Sequence, residues 1–416
     1  MSKRLGSHGK RAKGARQVTG LPFDIRATTT LGDYFTSRQE PGRAGIPTVS
    51  VTMHDGLVQR DELERRMEST LAPEQHLLVR KGDIAYNMMR MWQGACGLAE
   101  ADAIVSPAYV VLTPKSNIDS RFAVYWLKSP RILYLLWAYS HGLTEDRLRL
   151  YFDDFCQIPA TPPPLEEQRR IVAALEPWDD AARVTDGLAA RVRERRVRLA
   201  RHLLNPIGRK RGRLGDLATI NPRTPRLACD ALVAFVAMED VSELGCLVRF
   251  RECLRGDLGN GFTGFQEKDV LVAKITPCFE NGKGAHVTGL RTGFGFGSTE
   301  FHVLRAHDPE DARFIHHLVT DPTFRRDGER YMTGSAGQRR VPAEFIEDYR
   351  ITILSPAERV SVARILDVAE TQELLLSEMC DRLDRQKRGF MQRLFTNTAL
   401  DQPTLAPPTS SAAATI

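Results

Sequence analysis

Two stretches of this chain start a long helix in the same way. PPPLEEQRRIVAAL (162–175) opens one, and SPAERVSVARIL (355–366) opens another, with matching positions 191 residues apart. After the first start, Ile171, Leu175, Trp178, Ala182, Ala189, Val192, Leu199 and Leu203 step by four and three. That is the 3.5-residue period of a coiled-coil seam, interrupted where Thr185 and Arg196 fall on it. After the second start, Val362, Leu366, Ala369, Leu376, Leu383, Phe390 and Leu394 keep the same phase. Ser355 and Glu358 have capping-box spacing, and Pro356 sits where a first-turn proline is tolerated. A helix of about 60 Å with one apolar stripe is unstable alone in water and needs a partner for that stripe. The nearest partner is its copy.

The segments before the helices repeat as well. TLGDYFTS (30–37) is echoed by RLGDLATI (213–220), and RKGDIAYNMMR (80–90) by EKDVLVAKITP (267–277). SPAYVVLTPKSNIDSRFAVYWLKSP (106–130) is echoed by STEFHVLRAHDPEDARFIHHLVTDP (298–322). IPTVSVTM (46–53) and GDIAYNMMRMW (82–92) carry strand patterns, and 104–114 reads as one buried strand. Residues 121–140 read as helix broken at Pro130. The expected fold is α+β, with two similar globular domains separated by two long helices. Those helices are expected to pair as an antiparallel coiled coil, giving a pseudo-twofold tandem repeat. The boundaries are a basic tail (1–24), a first domain (25–160), a helix (161–205), a second domain (206–354), a helix (355–396) and a second tail (397–416). A rod of this length could hold two heads up to ~17 base pairs apart on duplex DNA.

Composition sets the class. No apolar run reaches the roughly 18 residues of a membrane span, and the N-terminus has no apolar signal core, so a cytoplasmic protein is expected. Seven cysteines lie without a CxxC pair and read as reduced packing residues. The net charge of +6 is matched by Lys3, Arg4, Lys10, Arg11, Lys13 and Arg16 alone, so any DNA surface must come from local patches. One basic stretch, Arg191–Arg213, suits either phosphate contact or a solvated helix end.

The unit of globular domain followed by a PLEEQRRI-type helix, used twice, resembles the specificity subunit of type I restriction–modification enzymes. Several stretches carry the likeness: IPTVSVTMHDGLVQRDEL (46–63), LVRKGDIAYNMMRMWQGACG (78–97), IVSPAYVVL (104–112), YSHGLTEDRLRLYFDDF (139–155) and PPPLEEQRRI (162–171). The likeness runs over nearly the whole chain outside the tails and is stronger in the first half. It implies two target recognition domains, each reading half of a split DNA sequence. It also implies two conserved helical regions that set the gap. The implied partners are double-stranded DNA, two modification (methyltransferase) subunits and ATP-dependent restriction subunits, with no membrane. The chain itself would hold no cofactor; methyl donor, ATP and magnesium would sit on those partner subunits.

The motifs agree with a chain that catalyses nothing. None of the eleven lysines has Asp or Glu two residues before it, as a common type of nuclease requires to hold Mg²⁺. NPRT (221–224) lacks the second proline and the aromatic of an amino-methyltransferase loop. GFGFG (293–297) is not a GxGxxG and reads as a loop. There is no phosphate loop and no HExxH. The pair His316–His317 reads as a helix surface rather than a metal site, because neighbours on a helix point apart; no metal or catalytic residue is assigned.

Base-edge readout calls for Arg, Lys, Asn and Gln on loops, flanked by phosphate contacts. In the first domain the candidates are Arg90 and Gln93, beside a Trp92 read as core, together with Arg147 and Arg149. In the second they are Lys274, Asn281 and Lys283 in a Gly-rich turn, and Gln338, Arg339 and Arg340. All could equally be ordinary surface loops. The exposed helix faces, including Arg191, Arg195 and Arg198, could be solvated or covered by partner subunits. Two competing readings remain: a self-sufficient restriction or modification enzyme, and a coiled-coil scaffold that binds only proteins.

Overall fold

The computed structural model describes residues 29–53, 55–60, 71–144, 147–224, 226–335 and 337–397. The tails expected at 1–24 and 397–416 lie outside these residues, except Asn397, which ends a helix. The chain divides into two compact units, one comprising Met1–Ala182 with Leu383–Ile416 and the other Arg183–Arg382.

The strands of the first unit are β1 (Phe35–Ser37), β2 (Val49–Val51), β3 (Leu57–Gln59), β4 (Leu77–Val79), β5 (Ile84–Asn87), β6 (Cys96–Leu98), β7 (Ala103–Val105) and β8 (Tyr109–Pro114). Four of them form an antiparallel sheet in the order β1-β8-β5-β6; β2 pairs with β3 and β4 with β7. Because side chains alternate across a strand, β5 serves two cores. Ile84 and Tyr86 join Phe35, Leu112, Phe122 and Phe155 on one face. Ala85 joins Val79, Val105 and Val111 on the other. The single strand expected over 104–114 is in fact two. Pro107 cannot donate to a ladder, and the chain turns there, with Tyr109 N bonded to Ser106 O at 3.0 Å.

Three short helices cover this sheet: α1 (Ser120–Leu127), α2 (Pro130–Ala138) and α3 (Phe152–Cys156). The Asp119 carboxylate accepts from Arg121 N and Phe122 N, both at 3.0 Å, and so caps α1. Pro130 then opens α2, where its missing N–H costs nothing, so the break expected at Pro130 is a boundary between two helices.

In the second unit the strands are β9 (Arg211–Arg213), β10 (Ala218–Ile220), β11 (Leu232–Val236), β12 (Arg251–Leu254), β13 (Thr263–Gln266), β14 (Val270–Ala273), β15 (Gly284–His286), β16 (Phe294–Gly297), β17 (Phe301–Ala306) and β18 (Arg350–Thr352). Its antiparallel sheet β10-β17-β14-β15 repeats the strand order of the first unit's β1-β8-β5-β6. The echoed turns repeat too. Asp83 accepts from Arg80 N at 2.9 Å, and Asp269 from Gln266 N at 2.7 Å. Both buried carboxylates also take an arginine, Arg38 in one unit and Arg305 in the other.

A second sheet, β12-β11-β16-β13, belongs to this unit. Its strand β16 is the GFGFG segment expected to be a loop. Two of its glycines are there for room: a Cβ on Gly295 would stand 2.2 Å from the Phe265 ring, and one on Gly297 would stand 2.7 Å from Val236 O, while Gly293, at φ 73°, serves the turn before the strand. Helices α5 (Ala312–Thr320), α6 (Pro322–Tyr331) and α7 (Ala343–Asp348) follow the strands, and Asp321 caps α6 through Thr323 N at 2.7 Å.

The two long helices are α4 (Leu165–Leu204) and α8 (Pro356–Asn397). The capping box at the start of α8 forms, with Ser355 N donating to Glu358 Oε2 at 2.7 Å and Glu358 N to Ser355 Oγ at 3.3 Å. Within the first unit, the start of α4 packs with the end of α8. Ile171 and Leu175 share a core with Phe395, flanked by Phe390 and Leu394, and the rings of Trp178 and Phe390 lie 6.0 Å apart. Within the second unit, the end of α4 packs with the start of α8: Ala200 and Leu204, with Leu199 and Leu203, share a core with Val362 and Leu366. There Arg196 meets Glu373 while Arg209, just beyond α4, meets Glu358, so the two helices run antiparallel in this unit. Val192, Leu376 and Leu383 are half-buried. The two polar interruptions of the seam are inside it: Thr185 is buried, and the Arg196 side chain is largely so.

Candidate nucleic-acid interface

In the first unit, β5 ends at Asn87, whose Oδ1 accepts from Met89 N at 3.0 Å. The chain then makes a single 3-10 turn, Met91–Gln93, closed by Gly94 at φ 91°, a left-handed conformation that glycine adopts without penalty. Arg90 heads the turn and is exposed; its Nη1 donates to Gln93 Oε1 at 3.1 Å. Trp92 is half-buried rather than a core residue. Its Nε1 donates to Met89 O at 3.1 Å and so braces the turn. Arg147 and Arg149 are exposed on the segment that closes on His141. That segment is tied to the Arg90 turn by Leu150 N donating to Met88 O at 2.9 Å, and Tyr86 Oη reaches Leu150 O at 3.3 Å. Two loops about 60 residues apart in sequence therefore form one surface carrying Arg90, Gln93 and Arg149.

The second unit builds the same junction. Thr333 bridges Arg340 as His141 bridges Arg149. Val341 N donates to Lys274 O and Thr276 N to Arg339 O, both at 2.9 Å. The loops bearing Lys274, Asn281 and Lys283 and those bearing Gln338, Arg339 and Arg340 are thus brought together. His302 holds the junction from beneath: its Nε2 donates to Val341 O at 2.9 Å and its Nδ1 accepts from Asn221 Nδ2 at 3.0 Å. Burial depresses the His302 pKa, which keeps the imidazole neutral in this tautomer.

The electrostatics of the two surfaces differ. In the first unit Arg90 faces an amide. In the second, Arg340 donates to Glu300 at 2.8 Å and Arg339 lies 3.5 Å from Glu280. Asn281 Nδ2 donates to Glu243 at 2.9 Å, and Lys283 Nζ to Met238 O at 3.2 Å. The Arg340 guanidinium holds the Glu300 carboxyl below its ordinary value. Gln338 is exposed at the loop tip. The basic stretch Arg191–Arg213 is also partly spent on carboxylates: Arg193 and Arg196 on Glu373, Arg209 on Glu358, and Arg213 on Asp216 and Asp348.

One feature runs against the sequence reading. His316 and His317 do not lie on a helix surface: both are buried, with rings 5.3 Å apart, where α5 packs on α8. Helical neighbours do point apart, but α5 is enclosed on more than one side, so both directions are interior. Sequence offered one signal for this contact, the 191-residue repeat that places Asp367 and Glu370 where Glu176 and Asp179 stand in the first copy.

No protein-family model matches the chain. A stretch of 175 residues is 37% identical to the type I restriction enzyme EcoEI specificity subunit of Escherichia coli, covering 42% of this chain and 28% of that protein. Over this stretch the chain is similar to type I restriction specificity subunits. The EcoAI specificity subunit of the same organism is 36% identical over 177 residues, again 42% of this chain and 28% of the relative. The match therefore spans well under a third of either relative's length. A solved type I restriction–modification S subunit from M. genitalium aligns over 90% of this chain and 98% of that one, at 14% identity and a TM-score of 0.49. Among the described residues no helix is long and apolar enough to cross a membrane.

Proposed function

We propose that this chain is the DNA specificity subunit of a type I restriction–modification complex, reading a bipartite target with two recognition domains (25–160 and 206–354) and catalysing nothing itself. The observation that carries this reading is the repeated junction. In each unit a sheet of the same strand order presents two remote loops, hydrogen-bonded to each other and bearing Arg, Lys, Asn or Gln side chains suited to base edges and phosphates. Kinship with specificity subunits over 175 residues supports the same role.

In this proposal α4 and α8 pair antiparallel along their lengths and fix the gap between the half-sites. The pairing found inside each unit supports this. Modification subunits dock on the helices, and restriction subunits join the assembly through them. Exposed apolar side chains on these helices suit such a partner: Val184, Leu188, Val368 and Leu375 are half to two-thirds exposed. Methyl donor, ATP and magnesium sit on the partners.

The test is to co-purify the chain with a type I modification subunit and measure DNA binding against salt concentration. Sequence-specific binding that weakens with salt supports the reading. Salt-insensitive assembly without DNA retention favours a protein-only scaffold, and cleavage of plasmid by the chain with Mg²⁺ alone favours a self-sufficient enzyme.

A further inference from the structure

The packing of α5 on α8 holds more chemistry than a structural strap requires. We propose that His316, His317 and Glu370 form a binding site for a divalent transition-metal ion of the zinc, cobalt or nickel class, with Asp367 available as a fourth ligand. The proposal is independent of the DNA reading.

Nitrogen and oxygen donors converge there. One ligand atom from each of His316, His317 and Glu370 lies within 4.8 Å of the others. His316 Nε2 is 2.9 Å from Glu370 Oε1, and His317 Nε2 is 2.7 Å from Asp367 Oδ1. Two imidazoles with one or two carboxylates is a donor set for borderline cations; magnesium and calcium prefer oxygen throughout. Imidazole must be neutral to bind a metal, and burial holds the His316 pKa down to about 4. Arg313 supplies the outer contacts, donating from Nε to Asp367 Oδ1 at 2.8 Å and from Nη2 to Glu370. One guanidinium against two carboxylates leaves the group with anionic character. Outer hydrogen bonds of this kind orient ligating carboxylates.

The repeat shows what a plain strap looks like at the same place. In the first unit Arg121 pairs with Glu176 and Tyr125 with Asp179, and no histidine takes part. In the second copy Arg313 pairs with Asp367 as Arg121 does with Glu176, and His316 meets Glu370 where Tyr125 meets Asp179. His317, on Asp367, is additional, and nitrogen replaces the phenol oxygen.

Access and shielding are both present. A cavity of about 480 Å³ opens beside the cluster, lined by Cys246, His286 and Arg313 among others. His286 Nε2 and His316 Nδ1 are buried without a hydrogen-bond partner, their rings 6.3 Å apart. Gly245, at φ 81°, lets its loop lie against His316, where a Cβ would come within 2.9 Å of the ring.

Cobalt(II) is the probe, titrated into the full chain purified without chelator. One equivalent per chain with ligand-field absorption is expected, and the double substitution His316→Gln with His317→Gln removes it. Glu370→Gln, which keeps the shape and an acceptor for His316, weakens binding at least tenfold. Equal cobalt uptake by wild type and variants, or no uptake by wild type, overturns the site. Should the variants fail to fold, X-ray absorption fine structure on cobalt-loaded wild type decides: two imidazole ligands support the proposal, and fewer than two overturn it.

Discussion

Arg196 Nε donates to Glu373 Oε2 at 2.5 Å, joining α4 to α8 inside the second unit. Glu373 is 4% exposed, and its other oxygen takes Arg193 at 2.8 Å. A polar residue on an apolar seam costs stability and specifies register, and here its partner is supplied by the facing helix. Arg196→Ala leaves a buried carboxylate held only by the exposed Arg193. Breaking such a pair costs roughly 3–5 kcal/mol, to be read as a lowered urea midpoint. Replacing Arg196 and Glu373 together by Leu restores most of that stability.

Leu175 and Leu366 occupy matching positions of the repeat, and both are fully buried, each in its own unit. Each Leu→Ala substitution leaves a cavity worth about 2–5 kcal/mol. Hydrogen exchange by mass spectrometry localises the loss: Leu175→Ala raises exchange around α1 and the start of α4, and Leu366→Ala around α5 and the end of α4.

His302 gives the second unit a pH response of known sign. Its pKa is depressed in the folded state, so the unfolded chain binds the proton more readily. The stability it contributes is therefore complete above the ordinary value of 6.5 and declines as pH falls below it. Protonation would also turn Nδ1 into a donor facing the Asn221 amide that now donates to it. Urea unfolding at pH 7.5 and 5.5 checks this: wild type loses stability at the lower pH, and His302→Gln loses less.

Glu300 pairs with Arg340 at 2.8 Å on the proposed DNA-reading surface of the second unit. Glu300→Gln removes an opposing charge and frees the guanidinium, so affinity of the assembled complex rises about three- to tenfold at low salt, with the gain shrinking as salt increases. Arg90→Ala in the first unit, which loses a candidate base contact, costs about 1–3 kcal/mol of specific binding.

Much of this architecture was legible because it is periodic or local. The two long helices, the Ser355–Glu358 capping box and the Pro130 boundary follow from spacing alone. The GFGFG strand did not, since its glycines answer to Phe265 and Val236, partners distant in sequence. His316 and His317 were misplaced for the same reason: whether a helix is enclosed on one side or several is decided by elements far along the chain. The repeat picked out the loops around Arg90 and Arg340, but it could not reveal that Glu300 and Glu280 neutralise the second set.

The most direct test exchanges residues 25–160 for the corresponding domain of another type I specificity subunit and maps adenine methylation by the assembled complex. One half of the methylated bipartite sequence should change while the other half and the gap between them stay fixed. An unchanged sequence, or a change in both halves at once, would contradict two separately reading domains joined by paired helices.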